Sequence, residues 1–127
     1  MRSVKIYLAG ALLNYEEEAP KWRAYVKEKL GHKVIYLDPI EESAIGKNSS
    51  DIINQDKQMI SMSDIVLVDW AKISAGTSME IIYAWENDKT IYVIDSGAPI
   101  SIWVEYHATE IFESVDDAID RIAKGLL

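Results

Sequence analysis

The sequence predicts an α/β protein built on a doubly wound, five-stranded parallel sheet in the order 2-1-3-4-5, with helices on both faces. Three observations carry that expectation. Short apolar runs alternate with segments of helical periodicity along the chain. The run Asp64-Ile65-Val66-Leu67-Val68-Asp69-Trp70 is apolar at successive positions, as a strand covered on both faces must be. A length of 127 residues suits one sheet with a helical layer on each side and is too short for two lobes. Right-handed crossovers then favour the doubly wound order, and residues 1–127 are expected to form a single domain.

The elements follow from local chemistry. Residues 4–9 are the first apolar run, ended by Gly10. Residues 20–30 have helical spacing at Trp22, Tyr25, Val26 and Leu30 and stop at Gly31, a natural residue just past a helix end. Residues 33–37 read as a strand closed by Asp38-Pro39. Residues 41–50 are polar, contain Gly46, and read as a loop; residues 51–62 form a helix with Ile52, Ile53, Met59, Ile60 and Met62 at its apolar positions. After the central strand, residues 74–77 are expected to turn and residues 78–86 to form a helix ended by Asn87-Asp88. A strand over 90–95, a turn over 96–99, a short helix over 100–106, a weak edge strand over 110–112 and a terminal helix over 115–127 complete the pattern.

Composition removes several functions. Thirteen basic and 21 acidic residues leave a net charge of −8. That charge repels a nucleic-acid polymer but leaves room for one small anion held by backbone N–H groups. Cysteine is absent, so disulfides, thiolate nucleophiles and Cys-ligated zinc are excluded. No apolar run reaches 18 residues, so no membrane-spanning helix is expected. Met1-Arg2-Ser3-Val4-Lys5 enters a strand pattern almost at once. A cleavable leader is therefore not expected, and a cytoplasmic location is. His32 and His107 lack metal-ligand spacing, and no cofactor is expected.

In sheets of this kind ligands sit beyond the carboxyl ends of the strands, where the winding reverses. Here that crevice falls between the first and third strands, flanked by residues 10–14 and 69–80. Leu8-Ala9-Gly10-Ala11-Leu12-Leu13 has one glycine where a dinucleotide fingerprint has three, and neither a P-loop nor a nucleophile elbow is present. The informative stretch is Ser74-Ala75-Gly76-Thr77-Ser78-Met79-Glu80. Gly76 allows close backbone approach, Ser74, Thr77 and Ser78 offer hydroxyls, and the helix start suits an anion. Glu80 falls in the first helical turn and can point into the crevice. The same residues fit a capping box, with Thr77 as N-cap and Glu80 reaching back to its N–H. Asp56 on the preceding helix is a candidate second carboxylate, or a solvated helix residue. Tyr7 can orient a carboxylate or simply pack in its strand. Asp69 and Asp38 are alternative acids, and Trp103 and Tyr106 can stack on a base or serve packing.

Lys5-Ile6-Tyr7-Leu8-Ala9-Gly10, the Asp56 helix, Ser63-Asp64-Ile65-Val66-Leu67-Val68 and Gly76-Thr77-Ser78-Met79-Glu80-Ile81-Ile82-Tyr83-Ala84 together resemble the nucleoside 2-deoxyribosyltransferase superfamily. That superfamily includes the nucleoside 5′-monophosphate N-glycosidases. The resemblance spans residues 4–122 and is most specific in Gly-x-x-Met-Glu-x-x-Tyr-Ala; residues 41–50 match nothing. It implies a flavodoxin-like sheet, Glu80 as a nucleophile forming a glycosyl ester, and Tyr7 orienting that carboxylate. Asp56, 24 residues before the glutamate, is implied to assist proton transfer or contact the sugar.

Six residues before the glutamate, transferases in the superfamily usually carry aspartate for the 5′-hydroxyl, and the monophosphate hydrolases carry serine for the 5′-phosphate. Ser74 stands there. Together with the crevice reading, this makes Gly10, Gly76, Thr77, Ser101 and Trp103 the further candidates for substrate binding. Ser101 aligns with a serine that reaches the phosphate from a neighbouring subunit, which implies a homodimer or larger assembly. The glycine-rich turn of the hydrolases is replaced by the bulkier Ala11-Leu12-Leu13-Asn14-Tyr15. The expected function is cleavage of a nucleoside 5′-monophosphate into base and sugar phosphate. Base exchange between deoxynucleosides is the alternative, and a non-catalytic nucleotide-binding module is a third reading.

Overall fold

A computed structural model describes residues 3–41 and 48–126. The elements run β1 (Val4–Gly10), α1 (Glu18–Leu30), a 3-10 turn (Gly31–Lys33), β2 (Val34–Leu37), α2 (Ser49–Met62), β3 (Ile65–Trp70), α3 (Ala75–Glu86), β4 (Thr90–Asp95), α4 (Ile102–His107), β5 (Glu110–Phe112) and α5 (Val115–Gly125). The five strands form one sheet in the order β2-β1-β3-β4-β5, all parallel. This is the flavodoxin-like arrangement the sequence predicts.

The two faces follow from strand alternation. Tyr7 and Ala9 of β1, Val66 and Val68 of β3, and Ile91 and Val93 of β4 point forward, onto Met59 and Ile60 of α2 and Ile81 and Ala84 of α3. Ile6, Leu8, Leu67 and Ile94 point to the rear, onto Val26 and Leu30 of α1 and Ala118, Ile119 and Ile122 of α5. β1 lies between β2 and β3, pairing Tyr7 with both Leu37 and Val66. The winding therefore reverses between β1 and β3, as the topology requires.

Several boundaries differ from expectation for identifiable reasons. α1 starts at Glu18, so Pro20 lies in its first turn, where a missing N–H costs nothing. α2 starts at Ser49, inside the segment read as a loop, because Asn48 caps it: its side chain accepts the Asp51 N–H at 2.9 Å. Residues 42–47 of that expected loop and Leu127 of the terminal helix lie outside the described residues. α3 starts at Ala75 rather than at residue 78, so the expected turn over 74–77 is mostly helix. α1 ends as read, with Gly31 at φ 61°.

Gly10 closes β1 where a side chain would be crowded. A Cβ there would lie 3.2 Å from Trp22 Cζ2 and 3.3 Å from the Asp69 carbonyl. Among the described residues no helix is long and apolar enough to cross a membrane.

Candidate active site

The site is built from three elements that meet in front of the β1–β3 junction. Tyr7 is in mid-β1, faces forward and is fully buried. Such a hydroxyl needs a partner, and it donates a short hydrogen bond to Glu80 Oε2. Glu80 is carried there by α3, whose start is fixed by Ser74. The Ser74 backbone is extended, its Oγ accepts the Thr77 N–H at 3.2 Å, and its carbonyl accepts both the N–H and the hydroxyl of Ser78.

This corrects the capping-box expectation. Ser74 is the N-cap, Thr77 is a buried third helical residue, and Glu80 sits in the second turn, too far along to serve the cap. The physical reason is that Ser74 is itself among the best N-caps and lies three residues earlier, so the helix starts sooner. The Glu80 carboxylate is released from its own main chain and turns to Tyr7.

In front of Glu80 lies a cleft of about 490 Å³, within the range of small-molecule sites. Asp56 of α2 faces Glu80 across it; Gly10, Ser74, Gly76 and Thr77 line one end. A Cβ on Gly76 would meet only Ser74 Oγ, at 3.9 Å, so its lack of a side chain keeps that end open. Leu12, Leu13, Pro39 and Ile53 give the cleft an apolar rim.

Electrostatics distinguish the three groups. Burial, reinforced by the charge of Asp56, pushes the Glu80 carboxyl up to about 7, while the Tyr7 hydrogen bond and the positive charge of Arg23 oppose that rise. Burial, then the Glu80 charge, raises the Tyr7 hydroxyl, so the phenol keeps its proton and acts as the donor. Burial raises Asp56 as well. Two carboxyl groups with raised affinity for protons, one held by a phenol, can divide nucleophilic and proton-transfer roles.

The structure does not bring every expected residue together. Ser101 caps α4, accepting the Val104 N–H at 3.3 Å. With Trp103 it lines a separate hollow of about 280 Å³ on the other flank of α3, beside Trp70, Ser78 and Ile81. Within one chain, neither residue reaches Glu80. Trp103 is 69% exposed and Tyr106 72%, so neither is a core aromatic. Trp103 stacks parallel to His107 with centroids 6.2 Å apart. The alternative acids are occupied elsewhere. Asp38 binds Lys27 Nζ at 2.8 Å and lies 3.5 Å from Arg23 Nε. Asp69, two residues after the rear-facing Leu67, accepts the Ser96 hydroxyl. Among the described residues no group of three or more His, Asp and Glu side chains is placed to hold a metal ion.

Two polar lining residues escape a sequence reading. Tyr83 shares the Glu80 face of α3 at a spacing of three residues, and Lys57 follows Asp56 on α2, its Nζ 5.3 Å from the Tyr83 ring centroid. The helical spacing was the available signal for Tyr83; for Lys57 there was none.

The sequence pattern of the family described as nucleoside 2-deoxyribosyltransferase matches residues 6–113, which contain every residue of the Tyr7–Asp56–Glu80 group. The chain belongs to the nucleoside 2-deoxyribosyltransferase family. It is an enzyme of that family. Solved structures share its fold. A 2-deoxyribosyltransferase from Bacillus psychrosaccharolyticus is 20% identical with a TM-score of 0.78, over 97% of this chain and 96% of that one. A 2-deoxyribosyltransferase from Leishmania mexicana is 18% identical with a TM-score of 0.73, over 98% and 99%. The CMP N-glycosidase BcmB from Clostridium botulinum is 16% identical with a TM-score of 0.65, over 94% and 98%. No curated protein matches.

Proposed function

We propose that this family member hydrolyses the N-glycosidic bond of a nucleoside 5′-monophosphate by retaining double displacement. The observation that carries the reading is the buried Tyr7 hydroxyl donating to Glu80 at the wall of the cleft, with Asp56 opposite. Glu80 attacks C1′ as the carboxylate. The C1′–N bond breaks, its electron pair leaves with the base, and Asp56, protonated in the reacting form, supplies a proton to the base. Water then attacks C1′ of the glycosyl ester and gives a proton to Asp56, and Glu80 departs as the carboxylate. Retained stereochemistry follows from the two inversions.

Ser74 supports a phosphate as the 5′ group. Its Oγ accepts from Thr77, so its own proton stays available for a ligand oxygen. Ala75 and Gly76 open α3, where backbone N–H groups have no partner within the helix, and Gly76 lines the same end of the cleft. Holding a phosphate there positions C1′ through binding energy remote from the bond that breaks.

A second chain completes the site in this reading. Ile73 before α3 and Trp103 of α4 are exposed apolar side chains lining the hollow that holds Ser101, and Ile102 and Tyr106 are exposed on the same short helix. Such a patch suits an interface, and a homodimer formed through it would present Ser101 to the partner's cleft.

Base exchange is the second reading, favoured by the apolar rim at Leu12, Leu13 and Ile53, where a free base can displace water. One experiment separates the two. The protein is incubated with ribo- and deoxyribonucleoside monophosphates, and with deoxynucleosides plus an acceptor base, and products are resolved by chromatography. Free base from monophosphates, lost in Glu80→Ala, is expected. New nucleoside formed faster than free base would move the assignment to the transferase. Tight monophosphate binding with no product would move it to a binding module.

A further inference from the structure

Arg23 heads the fully buried side chains by volume at 1% exposure, and the reaction above does not use it. It follows Ala19 by four residues and precedes Val26 by three, so α1 carries it within its buried stripe. A guanidinium in an apolar layer is costly unless its donors are met. Nη1 donates to the Ala19 carbonyl at 3.1 Å, which stays within α1. Nη2 donates to the Leu8 carbonyl at 3.1 Å and to the Gly10 carbonyl at 3.5 Å. Nε lies 3.5 Å from Asp38, and the Trp22 ring centroid is 4.7 Å from the guanidinium carbon. Asp38 lies at ion-pair distance, yet Nε has no hydrogen-bond partner, and Nη2 spends its bonds on the Leu8 and Gly10 carbonyls at the end of β1 that follows Tyr7.

We propose, resting on the reading of Glu80 as nucleophile, that Arg23 is a positioning residue. From the rear of the sheet it clamps the end of β1 so that Tyr7 meets Glu80, and it places a buried positive charge behind the group formed by Glu80, Asp56 and Tyr7. The groups around Glu80 are Tyr7 from β1, Asp56 and Lys57 from α2, and Arg23 from α1. Around Arg23 are Tyr7, Asp38 with its partner Lys27, and Asp69 at the end of β3. Burial and Asp56 disfavour the Glu80 carboxylate; Tyr7 and Arg23 favour it. Removing Arg23 therefore leaves the nucleophile protonated over a wider range of pH.

Two variants test this. Arg23→Lys keeps the charge, but an ammonium lacks the planar fork that spans two carbonyls and Asp38. Arg23→Met combined with Asp38→Asn removes the charge without leaving a buried carboxylate opposite a thioether. In a carbon-13 NMR titration of the Glu80 carboxyl, assigned with Glu80→Gln, the midpoint is expected to rise above the wild-type value in the double variant. It is expected to hold near the wild-type value in Arg23→Lys. With monophosphate substrates Arg23→Lys should lower kcat by about tenfold and leave KM unchanged, because substrate contacts persist while Glu80 is less well aimed.

A folded double variant whose Glu80 titrates as in the wild type overturns the proposal. So does wild-type kcat in Arg23→Lys, which decides the matter if the double variant does not fold. The titration is independent of turnover. A wild-type protein that released no base, yet whose Glu80 midpoint followed Arg23, would remove the glycosidase reading and leave the electrostatic role of Arg23 standing.

Discussion

In the proposed reaction, Glu80 concentrates the chemistry at the scale of single residues. Folding raises its carboxyl from an ordinary 4.5 to about 7. Between those values the folded chain binds a proton that the unfolded chain has released, so stability falls as pH rises through that interval. Glu80→Gln removes the titration. Its melting temperature relative to wild type should increase from pH 4.5 to pH 7 and level off above; a constant difference would contradict a buried, shifted carboxyl. Tyr7→Phe deletes the one hydrogen bond that favours the carboxylate, so the acid limb of the pH–rate profile should move above its wild-type position. Activity then drops more at pH 6 than at pH 8, and equal losses at both would count against the pairing. Ser74→Asp places a negative charge where a phosphate is to bind. Like charges at a few ångströms in a partly buried site cost enough to lower kcat/KM for monophosphates by roughly a hundredfold, with nucleosides spared. The Tyr7–Glu80 pairing is legible through the family resemblance, whereas the local pattern alone is ambiguous. Thr77-Ser78-Met79-Glu80 satisfies the capping-box pattern, and the hydrogen bond from Tyr7 on the same face of the sheet shows where the carboxylate goes.

Elements place those residues, and here the sequence is more informative. Unbroken apolar character in β3 marks a strand covered on both faces, and the residues of β1 alternate between the two cores as a parallel strand between neighbours must. What sequence periodicity misses is where helices begin. α2 and α3 each start two or three residues early because Asn48 and Ser74 supply side-chain caps, a local signal that competes with nearby hydroxyls and carboxylates for the same role. Arg23 hides for a related reason: a charged residue in a helix is usually solvated, and only its spacing from Ala19 and Val26 betrays burial. The end of β1 is the most constrained of these features. Gly10→Ala should cost about 1–3 kcal/mol in denaturant unfolding, because the new methyl meets the Trp22 ring and the Asp69 carbonyl. A loss below a few tenths of a kcal/mol would mean that the Trp22 ring yields freely.

For the molecule as a whole, topology was readable from the alternation of elements, whereas assembly was not. The sheet order fixes a crevice between β1 and β3, and the Tyr7–Glu80 pair lies there. Ser101 and Trp103 lie beyond α3, so a chain that uses them at Glu80 needs another copy. Ile102 is 80% exposed, so its replacement by aspartate should leave the fold intact while burying a charge in any interface on that face. Ile102→Asp is expected to sediment as a monomer and to lose base release while keeping the wild-type circular dichroism spectrum. A monomeric wild type with full activity would disprove the shared site.

The cap made by Ser74 has an evolutionary corollary under the proposed phosphate contact. Serine and aspartate are near-equal as N-caps, so exchanging them at the head of α3 would redirect ligand preference while the scaffold stays indifferent. Lineages would then cross between phosphorylated and unphosphorylated substrates by one replacement, without passing through an ill-folded ancestor.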